Sequence, residues 1–225
     1  MFFIDTPKNK EYNLFFSHFH WDHIQGLPFF DKAFDPETTI NIYSAFDNAK
    51  EYLENQMQFT YFPVPFDSFT KKITFHKLEE GLEYKIGNLL VSICKMAHPG
   101  SSYSFAFKEN GKKVVYATDV ELKQEDYNDS ESHNLVFKDA DYLIIDSQYT
   151  VDEANLKVNW GHSAFCSVID FAVHWNVKKI FLFHHEPTYS DKKLDAILQS
   201  ARWYAKYIAH SDLQVYLSIE NQEFE

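Results

Sequence analysis

The chain is poor in cysteine, in basic residues and in long apolar runs. Its 225 residues include two cysteines, Cys94 and Cys166, with no Cys-x-x-Cys spacing. That excludes a disulfide framework and points to a reducing compartment, with both thiols read as small core residues. No apolar run approaches the roughly 18 residues that a membrane-spanning helix needs. The opening MFFIDTPKNK has no basic segment followed by a long apolar stretch, so it does not read as a secretory leader. The expectation is a soluble cytoplasmic protein without a membrane partner. Lys and Arg total 21 against 33 Asp and Glu, for a net charge of −12. Phosphate neutralisation dominates the affinity for long nucleic acids, and this chain carries no Lys/Arg run longer than a pair. The balance argues against tRNA or another long polyanion. It does not exclude a small anion, because bound cations can invert the field inside a site.

What is present reads as globular. Hydrophobic residues make up 45%, aromatics 18% and charged residues 24%, and the length allows one large core. Short apolar runs at 2–4, 13–17, 39–43, 73–75, 142–145, 179–183 and 213–218 read as strands. Residues 84–96 read as two strands around Gly87-Asn88. Asn110-Gly111 between apolar runs at 103–107 and 114–118 is a strong hairpin signal. Helices are expected over 47–57, over 163–175, where Phe165, Val168, Ile169, Ala172 and Val173 recur with helical period, and over 191–210. The strand-rich first half and alternating second half predict a single α/β domain over residues 1–225, with helices outside packed sheets.

The sharpest motif is Ser17-His18-Phe19-His20-Trp21-Asp22-His23, just after a strand. Four potential ligands fall within six residues. In an extended run, side chains two apart share a face, so His18 and His20 suit one ion, and the following turn aims Asp22 and His23 at a second. Imidazole and carboxylate donors suit zinc, with manganese or iron as alternatives. Further donors stand at strand ends: His98 in Ala97-His98-Pro99-Gly100, Asp119 in Thr118-Asp119-Val120, and His184 and His185 after the apolar run at 180–183. Open α/β sheets gather their sites at such ends.

This series of motifs resembles the metallo-β-lactamase superfamily, in the order and rough spacing of its ligand motifs, over essentially residues 2 to 220. The resemblance implies a four-layer αββα sandwich holding two divalent ions. It implies His18, His20 and His98 on one ion, Asp22, His23 and His184 on the other, and Asp119 between them. His184 is preferred to His185 because it directly ends the strand, which leaves His185 as a substrate-facing residue. Trp160-Gly161-His162-Ser163, ahead of a helix and 22 residues before His184, resembles the Gly-His-Ser element of RNase Z and related phosphodiesterases. The resemblance makes His162 the group that protonates a leaving oxygen, and Asp146, at another strand end, its orienting partner.

Two departures stand out. There is no Gly- or Lys-rich insertion to build the tRNA-gripping arm of RNase Z. The start is also short for the family, which predicts that the usual opening strands are missing or that the chain is truncated, with edge pairing in a homodimer as compensation. The expected activity is hydrolysis of a small or cyclic phosphodiester: two metal ions activate water for attack on phosphorus, Asp22 orients it, and His162 supplies the proton. Ser101, Ser102, Tyr149 and Trp160 are expected near the substrate. Rival readings are a thioester, ester or lactone hydrolase of the glyoxalase-like branch, and a metal-binding sensory module with little catalysis. Di-iron reduction of oxygen or nitric oxide also occurs on this fold. His76, His133, His174 and His210 lie in no such motif and are given no role.

Overall fold

A computed structural model describes residues 10–223, in two compact units that divide between Glu79 and Glu80. The expected strand at 2–4 lies outside the described residues.

The first unit is built on a three-stranded parallel sheet, β1 (Glu11–Phe16), β2 (Thr39–Ser44) and β3 (Ile73–Lys77), in that order. A single helical turn, α1 (Trp21–Ile24), follows β1, and α2 (Ala49–Gln56) follows β2. Alternate residues of β1 and β2 point inward, so Leu14, Phe16, Ile40 and Ile42 join Leu53 and Met57 in one core. Each such side chain contributes about 1.5–3 kcal/mol by leaving water. The Phe- and Pro-rich stretch after α2 forms turns and a short 3-10 helix at Phe66–Ser68 rather than a regular element.

The second unit holds a seven-stranded mixed sheet. Its strands are β4 (Glu83–Ile86), β5 (Leu89–Met96), β6 (Ser102–Glu109), β7 (Lys112–Ala117), β8 (Tyr142–Asp146), β9 (Lys179–Phe183) and β10 (Gln214–Leu217). They lie in sequence order across the sheet. β4 to β7 pair antiparallel and β7 to β10 parallel. The change of hand follows from the connections: tight turns join β4 to β7, whereas the parallel pairs need crossovers. Four helices supply these: α3 (Glu131–Val136), α4 (Val151–Leu156), α5 (Phe165–His174) and α6 (Asp191–Tyr207). At the β6–β7 turn both Asn110 and Gly111 adopt positive φ, 50° and 76°, the conformation that makes Asn-Gly a hairpin turn. Strands covered on both faces read as continuous apolar runs, as at Ile180, Phe181 and Leu182, all buried.

Expectation and structure differ in places. The helix expected from Asp47 starts at Ala49, and the one expected to reach His210 ends at Tyr207. α3 and α4 were not expected at all. Cys94 is buried, as its apolar setting suggested, but Cys166 is only partly so.

The sheet direction explains where the second unit collects its polar side chains. β7, β8 and β9 run parallel, and β5, two antiparallel steps from β7, points the same way. Residues at or just after the ends of these strands therefore share one sheet edge. They are His98, Asp119, the Asp146–Ser147 pair and His184.

Candidate metal centre

In the first unit, the chain leaves β1 extended and turns at α1, with His20 at its N-cap. This brings the His18 and His20 ring centroids to 4.6 Å and those of His18 and His23 to 4.2 Å. His18 is buried, and its Nδ1 lies 3.1 Å from the Ser17 hydroxyl. His23 Nε2 is 3.1 Å from an Asp22 carboxylate oxygen. Three imidazoles and a carboxylate so close together form a donor set that suits a divalent cation.

The second unit gathers a matching set. Asp119, 2% exposed, splits its carboxylate between two tasks. Oδ2 accepts from the Thr118 hydroxyl at 2.5 Å. Oδ1 faces His184 Nε2 at 3.5 Å and His98 Nε2 at 3.9 Å. Asp119 and His184 hold left-handed backbones, with φ of 55° and 54°. Such strain costs about 1–3 kcal/mol per residue and clusters at functional sites.

His98 is held from its far side. Its Nδ1 lies 2.9 Å from the Gly161 carbonyl. A carbonyl only accepts, so Nδ1 carries the proton, and Nε2, the nitrogen facing Asp119, presents a lone pair. This is how proteins fix a metal-ligating imidazole. The approach demands glycine. A Cβ on Gly161 would fall 2.1 Å from His98 Nδ1 and 2.5 Å from Pro99 Cδ, at a φ of +91°.

His162 follows directly. Its Nδ1 is 2.6 Å from Asp146 Oδ2, and Asp146 is fully buried. The other Asp146 oxygen accepts the backbone N–H groups of Gln148 and Ser163, each at 3.2 Å. The carboxylate is thereby fixed before it meets the imidazole. The His162 ring stacks on His184, centroids 5.0 Å apart and 12° from parallel, and stands edge-on to His98 at 5.4 Å. His98, Asp119 and His162 offer donor atoms within 4.8 Å of one another, as do Asp146, His162 and His184. The donor chemistry of both sets fits a divalent cation.

The expected substrate-facing residues occupy varied positions. Ser102 is fully buried, and its hydroxyl donates to the Thr118 carbonyl at 3.1 Å. Ser101 is partly exposed in a left-handed turn, φ 73°. Tyr149 stands edge-on to His162 with centroids 5.7 Å apart, and the Lys157 ammonium lies over its ring at 4.2 Å. The same ammonium is 5.6 Å from the centroid of Trp160, an indole 61% exposed. His185 Nε2 is buried with no hydrogen-bond partner among the described residues, and burial, then the neighbouring His184, lowers its pKa. Sequence reasoning did not foresee Glu121 or Lys157 near the site. Both lie in unpatterned polar segments, and only the folded chain brings them to it.

Residues 12–185 match the family described as the beta-lactamase superfamily domain. Ribonuclease Z from Oceanobacillus iheyensis is 23% identical over 236 residues, covering 84% of this chain and 76% of its own length. Unliganded yeast PDE1 has a similar structure, with a TM-score of 0.70 at 16% identity, covering 92% of this chain and 66% of that one. The short form of human tRNase Z gives 0.66 at 16% identity, covering 95% and 78%. Among the described residues no helix is long and apolar enough to cross a membrane. The chain therefore belongs to the beta-lactamase superfamily, with the metallo-β-lactamase fold and a sequence similar to ribonuclease Z, and it is a metal-dependent hydrolase.

Proposed function

We propose that residues 1–225 form one catalytic domain that holds two divalent ions and hydrolyses a small or cyclic phosphodiester in the cytoplasm. In this reading His18, His20 and His98 hold one ion, Asp22, His23 and His184 the other, and Asp119 reaches both. The family match supports it, because the match spans every one of these positions. So does the Nε2 lone pair of His98, which the Gly161 carbonyl dictates. Zinc suits these donors, and manganese or iron would also be accepted. Two such ions, when bound, supply Lewis acidity that activates water near neutral pH and polarises a phosphoryl oxygen.

The observation that carries the phosphodiester reading is the Asp146–His162 pair. Asp146 accepts from Nδ1–H of His162 at 2.6 Å, which stabilises the charged imidazole and leaves Nε2–H as the proton to be delivered. A leaving alkoxide needs that proton, and delivery is worth roughly 10²–10⁴ in rate. Asp22 orients the attacking water. Ser101 and His185 would meet phosphate oxygens. The Ser102 hydroxyl is already engaged, donating its hydrogen bond to the Thr118 carbonyl. Tyr149 and Trp160 offer rings to the organic part of the substrate. The net charge of −12 favours a small substrate over tRNA.

A panel of bis-aryl phosphate, cyclic phosphodiester, thioester, lactone and precursor tRNA tests this. Metal-dependent turnover of the phosphodiesters is expected. Turnover of thioester or lactone alone would replace the reading with the glyoxalase-like one, tRNA cleavage alone would replace the small substrate, and no turnover with tight metal binding would favour a sensory module. One observation favours a different reading of His162, as a metal ligand instead of the proton donor: its ring offers a ligand atom within 4.8 Å of those of His98 and Asp119.

A further inference from the structure

Two residues beyond Asp119, the Glu121 carboxylate reaches into the loop that precedes His162. One oxygen accepts the backbone N–H of Asn159 and the other that of Gly161, each at 2.9 Å. The Lys123 ammonium lies 2.5 Å from the first oxygen. Glu121 also donates its own backbone N–H to the Ala97 carbonyl at 2.9 Å, one residue before His98. The loop it grips is unusual: Asn159 and Gly161 both hold positive φ, 67° and 91°, a conformation that needs an outside anchor. The peptide chain then continues from the Gly161 N–H to the Gly161 carbonyl, and from there to His98 Nδ1.

We propose that Glu121 is a positioning residue for the metal centre: by clamping the Asn159–Gly161 loop against the Ala97–His98 turn, it holds the Gly161 carbonyl on His98 Nδ1 and so fixes the ring nitrogen that faces the metal. Glutamate is required because two amide donors converge on it. Glutamine has a single acceptor oxygen, and its NH₂ would confront the second N–H. The metal part of the inference rests on His98 being a ligand, as proposed above; the tautomer part does not.

The test has two arms. The first is ¹⁵N NMR of the histidine rings in the metal-free protein. Wild type is expected to carry the His98 proton on Nδ1, in a hydrogen-bonded position. A proton on Nε2 in wild type would overturn the proposal without any variant having to fold. The second compares wild type, Glu121→Gln and Lys123→Met by zinc competition against a chelating dye. Glu121→Gln is expected to lose the His98 Nδ1–H signal and about 10- to 100-fold in zinc affinity, the usual loss when an outer partner of a ligating imidazole is removed. Lys123→Met, which leaves both amide bonds to Glu121 in place, is expected to keep both properties. If Glu121→Gln melts earlier but keeps the His98 signal, Glu121 serves only to hold the loop and the proposal fails. If the signal is lost and zinc affinity is unchanged, the tautomer part stands, and the metal part fails together with the assignment of His98 as a ligand.

Discussion

Substituting Gly161 by alanine loads a single position with two separate penalties. The added methyl carbon would stand 2.1 Å from His98 Nδ1 and 2.5 Å from Pro99 Cδ. Neither neighbour is the loose end of a flexible chain, so the loop must withdraw. The φ of +91° adds about 1–3 kcal/mol of strain for any residue with a Cβ. Withdrawal also breaks the 2.9 Å bond from His98 to the Gly161 carbonyl, worth about 0.5–1.5 kcal/mol. The total, about 1.5–4.5 kcal/mol, corresponds to a fall of roughly 3–18 °C in Tm for a chain of this size. His98 is then released from its fixed tautomer, and zinc affinity is expected to fall about 10- to 100-fold. Calorimetric melting and a zinc titration read both effects. Gly26→Ala is the control, because a Cβ there meets nothing within 4 Å. A Gly161→Ala protein that melts within about 1 °C of wild type and binds zinc as tightly would refute the close approach of loop and imidazole.

His162→Ala is expected to keep its metal and lose about 10²–10⁴ in turnover of a bis-aryl phosphate; wild-type activity would remove the proton-donor role, and loss of a metal equivalent would make His162 a ligand. Glu153 predicts a pH effect on stability. Partial burial opposes its ionisation, but hydrogen bonds from Tyr189, the Thr150 backbone and hydroxyl, and Lys193 outweigh this and hold its pKa down at about 2. A depressed folded-state pKa stabilises above the ordinary carboxylate value, 4.5 for this group, and the gain is lost as pH falls through the folded value. Wild type should therefore outlast Glu153→Gln in denaturant at pH 7, with the gap closing as the pH approaches about 2; a gap independent of pH would refute the ionic origin.

The strands were legible because each is an apolar run ended by a turn, and the β6–β7 turn because Asn110 and Gly111 tolerate positive φ. α3 and α4 were not, because they lack an amphipathic stripe: α3 buries only Val136 and α4 buries none of its residues. Their signals were caps instead. Ser130 accepts from the His133 N–H, and Thr150 and Glu153 form a capping box, a Thr-x-x-Glu pattern readable in principle. At the site, the donors of residues 18–23 sit together in the chain, so spacing alone exposed them. His162 and Asp146 came from family resemblance, and the structure brings them to 2.6 Å. The Gly161 cradle and the Glu121 clamp join segments 63 and 40 residues apart. No local period encodes such contacts; they depend on which strand ends share a sheet edge.

The central proposal is that His18, His20, Asp22, His23, His98, Asp119 and His184 hold two cations, with Asp119 common to both. Elemental analysis of metal per chain, on wild type and Asp119→Ala reconstituted side by side with zinc, tests it most directly. The account predicts two equivalents in wild type and one or fewer in the variant. Two equivalents in both proteins, or none in wild type, would contradict it.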